Sequence, residues 1–389
     1  MSPNLFMNRF YIGLLFLISS ILQSYSQSAI NLVSYSQTSL KIEFNSQPYT
    51  YKEVETNLGT MNIPMMQGAS PMMVLGAPDL QKYACSYIIP DGDSPSVSLV
   101  DFSYKDYIVD IAPSKGNLLR NVIPSQVPYN FGSEYAKNEF FPSQIYDAQP
   151  SFSVRDFEGQ ALWIYPFQYN PISKVLRVFD SMEFDIEFQN PIRYPSSMDS
   201  QFQMIYENLF INYNAALSSA INNEDGGMLI IAHDEFVNSM EDFMNWKTRK
   251  GLFNEIVAVS SIGGQDQIKT YIQDYYNANN LTYVLLVGDH QQVPAYIDSS
   301  IAGYSDNYYG YIDGDDSYPE VFIGRFSAER NSDVLTQVNR VIQYEQNPSN
   351  SNAYEVGVGI GSNEGPGDDD EFDYDHLRNI RDVLLDYTY

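Results

Sequence analysis

Two stretches of this chain concentrate side chains that could bind cations. Asp313, Asp315, Asp316 and Glu320 place four carboxylates in eight residues, and Glu364–Asp375 places seven in twelve. Calcium takes six to eight oxygens, and closely spaced acids with free backbone carbonyls supply them. The first cluster is not an EF-hand, because no D-x-D-x-D-G loop with a Glu at its twelfth place is present. On the residues alone a solvated acidic turn is the simpler reading. In the second cluster mutual repulsion is costly unless a cation is bound or the loop stands in water. Asp289-His290 has the composition of a base and its orienter, yet no nucleophile is at hand. The one cysteine, Cys85, lies in the strand-like KYACSYII. A thiolate needs an adjacent base to be activated, so Cys85 reads as a buried structural thiol.

These clusters need elements to position them, and the chain has two rhythms. From Ser28 to Gln189 the dominant period is two. LKIEF (Leu40–Phe44) and MEFDIEF (Met182–Phe188) alternate, with Phe184, Ile186 and Phe188 on one face. Prolines and glycines punctuate further short strands, which predicts an antiparallel, β-sandwich-like domain. The Met-rich Met61–Val74 invites a soft-metal reading, but its prolines and irregular spacing favour plain packing. After Gly227 short apolar strands (MLIIAH, EIVAVS, LTYVLLVGD, VFIGRF, VGVGIG) alternate with helical segments, among them Phe236–Gly251 and Ser332–Asn347 with Ser332 as N-cap. This alternation predicts a mainly parallel α/β sheet with functional loops at the carboxyl ends of its strands. Both acidic clusters follow such strands or precede them closely.

Composition narrows the classes. The 389 residues, 44% hydrophobic and 14% aromatic, suffice for two or three domains and exclude global disorder. Net charge is −28, which repels phosphate backbones and excludes nucleic acid as a partner. The charge is uneven. Residues 1–200 carry 12 basic and 19 acidic side chains, and residues 201–389 carry 9 and 30. The acidic second half suits hard cations or basic substrates, or solubility in a salty medium. Arg9 followed by the apolar Phe10–Leu22 and the small residues Ser24 and Ser26 reads as a secretory leader, too short to span a bilayer. No second run reaches spanning length, so no membrane span is expected once the leader is removed. The expected divisions are a signal peptide at 1–26, a β-rich domain at 27–200, a junction at 201–227, a first α/β subdomain at 228–348 and the start of a second at 349–389.

LTYVLLVGDH, EVFIGRFS, a helix ending in YE, and a glycine- and acid-rich loop occur here in order. Together they resemble the catalytic domain of the gingipain family, secreted bacterial cysteine endopeptidases with a caspase-like α/β sheet. IAPSKG, PFQYNP and VLRVFD in the β half are similar to that family's propeptide. The resemblance implies a β-sandwich-like prodomain before a partial α/β caspase-like catalytic domain. It implies structural calcium held by Asp289, Asp316 and Glu320, with Asp313 possible and the Tyr318 carbonyl available. It implies that Glu364 supports the catalytic histidine, and that Asp373, three residues before His376, lines the pocket for the residue preceding the cut. A carboxylate there pairs bidentately with guanidinium, so Arg is the implied preference. The loop is two residues shorter than the family's pattern. The family's Gly-His-Gly turn and later cysteine are absent from this sequence. The chain therefore reads as the front of an extracellular peptidase precursor that lacks the cutting residues. Its expected partners are protein or peptide substrates and its own propeptide as inhibitor. The alternative is an inactive prodomain that binds calcium or inhibits a peptidase. Between Tyr194 and Trp246 there is no Lys or Arg, so Arg193, in the turn-rich NPIRYPSS, is the expected processing site.

Overall fold

The computed structural model describes residues 28–213, 222–224, 226–298, 303–348, 356–367 and 371–387. The expected leader lies outside them. In the front domain β1 (Ile30–Ser36), β2 (Ser39–Asn45), the hairpin β3 (Tyr49–Thr56) and β4 (Gly59–Met66), β5 (Ser70–Pro71), β6 (Gln81–Ile89) and β7 (Ser96–Ile108) come first. They are followed by β8 (Tyr146–Val154), β9 (Phe157–Ile164), β10 (Phe167–Asn170) and β11 (Val175–Glu187). One antiparallel sheet runs β1-β2-β11-β10, with β7 along the other side of β11; a second runs β5-β6-β9-β8. The alternation read from the sequence is the alternation of burial. Ile42 and Phe44 of β2 and Phe184 and Ile186 of β11 are fully buried, and they meet Tyr87, Ile88, Leu162 and Ile164 of the second sheet in one core. Burying such side chains contributes roughly 1.5–3 kcal/mol each. Met61 and Met66 are buried in apolar surroundings, as packing requires.

The segment after residue 196 enters that same core. β12 (Ser197–Asp199) pairs in parallel with β13 (Asn222–Glu224), and α1 (Gln203–Leu209) lies between them in sequence. Phe202, Tyr206, Phe210 and Tyr213 are all buried in the front domain's core. Asn212 is wholly buried and exchanges hydrogen bonds with the backbone of Ile88, at 2.8 and 3.2 Å. The expected junction is thus partly a piece of the β domain.

The rear domain begins with β14 (Gly227–Ala232), α2 (Glu241–Arg249), β15 (Asn254–Ala258), α3 (Gln265–Ala278) and β16 (Leu281–Val287). After the small hairpin β17 (Tyr296–Asp298) and β18 (Gly303–Ser305) come β19 (Phe322–Phe326), α4 (Asn331–Gln346) and α5 (Asp373–Asp386). The parallel sheet is ordered β15-β14-β16-β19. Leu229, Ile231, Val284 and Leu286 face α3 through Ile268 and Ile272. Ile230, Ala232, Leu285 and Val287 face Phe243 of α2 and Val334 and Val338 of α4. Continuous apolar strands are what burial on both faces demands.

Two expectations are corrected. Val356–Gly361 is not a strand: it is extended coil with Val358 80% and Ile360 90% exposed, because no neighbouring strand pairs with it among the described residues. Ser332 is not the N-cap of α4. The cap is Arg330, and Asp333 Oδ2 accepts the N–H groups of Glu329 and Arg330 at 3.3 and 3.1 Å. A carboxylate at N3 satisfies orphan donors and complements the helix dipole better than a hydroxyl inside the first turn.

Candidate active site

Near the carboxyl ends of the parallel strands lie Arg325, within β19, and the loop residues Asp289, His290, Asp306 and Ser327. Asp289 Oδ1 accepts the His290 N–H at 2.8 Å and the Ser327 hydroxyl at 3.3 Å. The His290 backbone donor, above all, holds the Asp289 carboxyl below its ordinary range. His290 Nδ1 lies 3.4 Å from Asp289 Oδ1, and its ring packs against Tyr304. Beside them Asp306 grips Arg325 with two bonds of 2.7 Å, and Arg325 Nη1 donates to the carbonyls of Gly288 and Val293 at 2.7 and 2.9 Å. This planar fork ties β19 to the loop that leaves β16.

The expected calcium ligands are not brought together. β16 and β19 run parallel with Tyr283 opposite Phe322 and Val287 opposite Phe326. Asp289 therefore stands past the carboxyl end of the sheet, whereas Asp313, Asp316 and Glu320 stand before its amino end, roughly 20 Å of strand away. Glu320 is fully buried; its Oε2 accepts the N–H groups of Ile312 and Asp313 at 2.7 and 3.1 Å, and Oε1 has no partner. Burial pushes its carboxyl up to about 7. Both oxygens of Asp316 are engaged by N–H donors, Tyr318 and Ser153, each at 2.8 Å. Among the described residues no group of three or more acidic, histidine or cysteine side chains is placed to hold a metal ion. The four carboxylates do not fit one calcium site.

The second acidic loop has an occupant from the front domain. Arg120 Nη2 lies 3.2 Å from Asp373 Oδ1, and Arg120 Nη1 donates to the carbonyls of Pro366 and Glu371, both at 3.2 Å. Gly365 and Gly367 have φ of +152° and +66° and line the same seat. A Cβ on Gly365 would collide with the Arg120 carbonyl oxygen, and one on Gly367 would lie 3.0 Å from Arg120 Cδ. Glycine is required there for the arginine backbone to approach. Asp373 Oδ2 also accepts the Ser362 N–H at 3.0 Å. That donor first, then Arg120 and His376, holds the Asp373 carboxyl below its ordinary range. Glu364 is exposed, with its N–H on Ser362 Oγ, and His376 sits 3.5 Å from Glu371. Nothing in the sequence marks Arg120; only its contact with Asp373 does. Arg193 is exposed, and the hydroxyl of the following Tyr194 bonds that of Tyr35. Cys85 is half-buried against the front domain's core, and burial pushes its thiol up to about 12, away from the reactive thiolate.

Residues 24–221 match the family model Propeptide_C25, and residues 221–388 match Peptidase family C25. The chain belongs to peptidase family C25. Gingipain R2 of Porphyromonas gingivalis is 34% identical over 333 residues, which cover 82% of this chain and 45% of that protein. Lys-gingipain of the same organism is 24% identical over 80% of this chain and 19% of its own length. The chain thus spans less than half the length of the C25 relatives it matches. The solved complex of Porphyromonas gingivalis RgpB pro- and mature domains is similar at a TM-score of 0.45 and 29% identity, covering 48% of this chain and 98% of that one. In C25 terms the β domain is the propeptide and the parallel sheet is the front of the peptidase domain. Among the described residues no helix is long and apolar enough to cross a membrane.

Proposed function

We propose that this chain is the latent front portion of a secreted cysteine endopeptidase that cuts proteins after Arg. The observation that carries the reading is Arg120 in the acidic loop. A prodomain arginine enters a glycine-lined seat, pairs with a carboxylate and bonds two carbonyls, as the side chain preceding a scissile bond would. A guanidinium matches three acceptors spread over Asp373, Pro366 and Glu371; an ammonium on a longer, freer stem matches fewer at once. The prodomain then acts as a substrate-like inhibitor. Cys85, in β6 of the front domain with its thiol pushed up to about 12, is not the cutting thiol of this reading. Arg193 is the proposed processing site, exposed immediately before Tyr194.

The test uses the full-length protein with peptide amides carrying Arg or Lys before the cut. Arg substrates should be preferred, and Asp373→Ala should lower kcat/KM for Arg by about 10-fold, the scale of one lost charged hydrogen-bond partner. Equal cleavage of Lys and Arg substrates, or a variant as active as the parent, sinks the reading. N-terminal sequencing of the matured enzyme should begin at Tyr194; a start between Asn214 and Gly227 refutes processing at Arg193.

A further inference from the structure

A second prodomain arginine enters the peptidase domain at the opposite end from the strand-end loops. The hairpin β8–β9 closes on the two residues Arg155-Asp156, between the paired Val154 and Phe157. Arg155 has φ +46°, a left-handed conformation that a two-residue hairpin turn normally gives to Asn, Asp or Gly. An arginine at this position carries backbone strain that a smaller residue would avoid, and its side chain explains why it is there. The side chain is only 6% exposed. Its Nη1 donates to the carbonyls of Leu281 and Glu320 at 2.6 and 2.8 Å, and its Nη2 to Asn280 Oδ1 at 2.9 Å. Leu281 opens β16, and Glu320 lies just before β19, so one guanidinium bridges the amino ends of two neighbouring strands. Asp199, 1% exposed, lies 3.2 Å from Nη2 and accepts the Thr282 hydroxyl. Phe202 and Tyr276 flank the guanidinium at 5.0 and 5.6 Å. Two residues earlier on the hairpin, the Ser153 N–H reaches Asp316, and Phe152 stacks on Tyr318 at 4.2 Å.

We propose that this hairpin tip is a second docking site, separate from the Arg120 seat, that holds the prodomain on the peptidase domain after the connecting chain is cut, with Arg155 as its anchor. Arg120 occupies the acidic loop and sets inhibition; Arg155 sets retention. A buried guanidinium flanked by two aromatic rings and bonded to two carbonyls, an amide oxygen and a carboxylate is the profile of an interface hot spot. The contact does not depend on Arg specificity, because its peptidase partners are backbone carbonyls and an amide. The occupant is this chain's own prodomain, whose hairpin presents the strained arginine in the required register.

The experiment uses the full-length precursor with a recognition site for an added, site-specific protease placed in residues 214–221. After the cut, prodomain retention is measured by size-exclusion and by dissociation rate. Arg155→Ala should weaken retention by about 100-fold, the scale of one truncated partner in a buried charged contact. Arg155→Lys, which keeps the charge without the fork, should fall between it and the parent. Arg120→Ala should relieve inhibition while changing retention by no more than about fivefold, as befits a half-exposed pair. Retention by Arg155→Ala within about threefold of the parent overturns the proposal, as does a larger loss for Arg120→Ala than for Arg155→Ala. Should Arg155→Ala fail to fold, Asn280→Ala on the peptidase side replaces it. It should weaken retention by about tenfold, one lost charged hydrogen bond, and unchanged retention overturns the proposal. Retained Arg preference in Asp373→Ala with normal Arg155 behaviour would fail the substrate reading alone.

Discussion

Arg120 and Arg155 leave the same β domain and meet the same peptidase domain, yet their surroundings differ in kind. Arg120 is 39% exposed and faces an acidic loop whose Asp373 is 26% exposed. Arg155 is nearly dry, and so is Asp199. Water screens the first pair and not the second, so the first is cheap to break and the second is not. An inhibitor that must yield to substrate suits the first environment. A clamp that must outlast cleavage suits the second.

The largest expected effect breaks the dry site from its acidic side. Asp199→Ala leaves Arg155 buried without its counter-charge, and the precursor should lose about 3–5 kcal/mol in denaturant titrations. A loss under about 1 kcal/mol would mean water already reaches the guanidinium, and the contrast would collapse.

A smaller effect concerns the seat of the Arg120 loop. Asp79 lies in a cavity of about 870 Å³ lined also by Lys52, Lys115, Pro124 and Tyr129, on the loop's prodomain side. Burial pushes its carboxyl up to about 6, against the pull of Lys52 and Lys115. An unfolded aspartate releases its proton near pH 3.9. Between those values the folded state holds a proton that the unfolded chain has lost, so the stability Asp79 contributes is fully present below about pH 4 and is lost as pH rises through 6. The decline is up to about 3 kcal/mol. Asp79→Asn should flatten that slope, read from melts between pH 4 and 7; an unchanged slope assigns it elsewhere.

The smallest effect belongs to the exposed pair. Asp373→Asn should lower precursor stability only slightly, and about 0.5 M salt should erase the difference. The cost of Asp199→Ala should survive the same salt. Equal salt sensitivity at both sites would remove the distinction drawn between them.

Much of the architecture was legible in the residues. Phe184, Ile186 and Phe188 alternate because a half-buried strand has period two, and they are buried as read. VLLV in β16 is a continuous apolar run because a central parallel strand is covered on both faces. Asp373 was reached through the resemblance, and its guanidinium partner was expected as chemistry but not as Arg120. The calcium set failed for a reason a sequence cannot carry: Asp289 follows one parallel strand and Glu320 precedes its neighbour, so register sends them to opposite ends. Val356–Gly361 has a strand's composition, but composition does not supply a partner strand.

By itself the sequence determined most of the strands and helices, which faces seek burial, and where acidic charge accumulates, since these follow from side-chain period and type within short windows. The tertiary structure alone decided which arginine meets which carboxylate. Arg120 and Asp373 are 253 positions apart, and Arg155 and Leu281 are 126 apart. Such contacts depend on domain placement and strand register, which are set by the whole core and leave no local pattern in the chain.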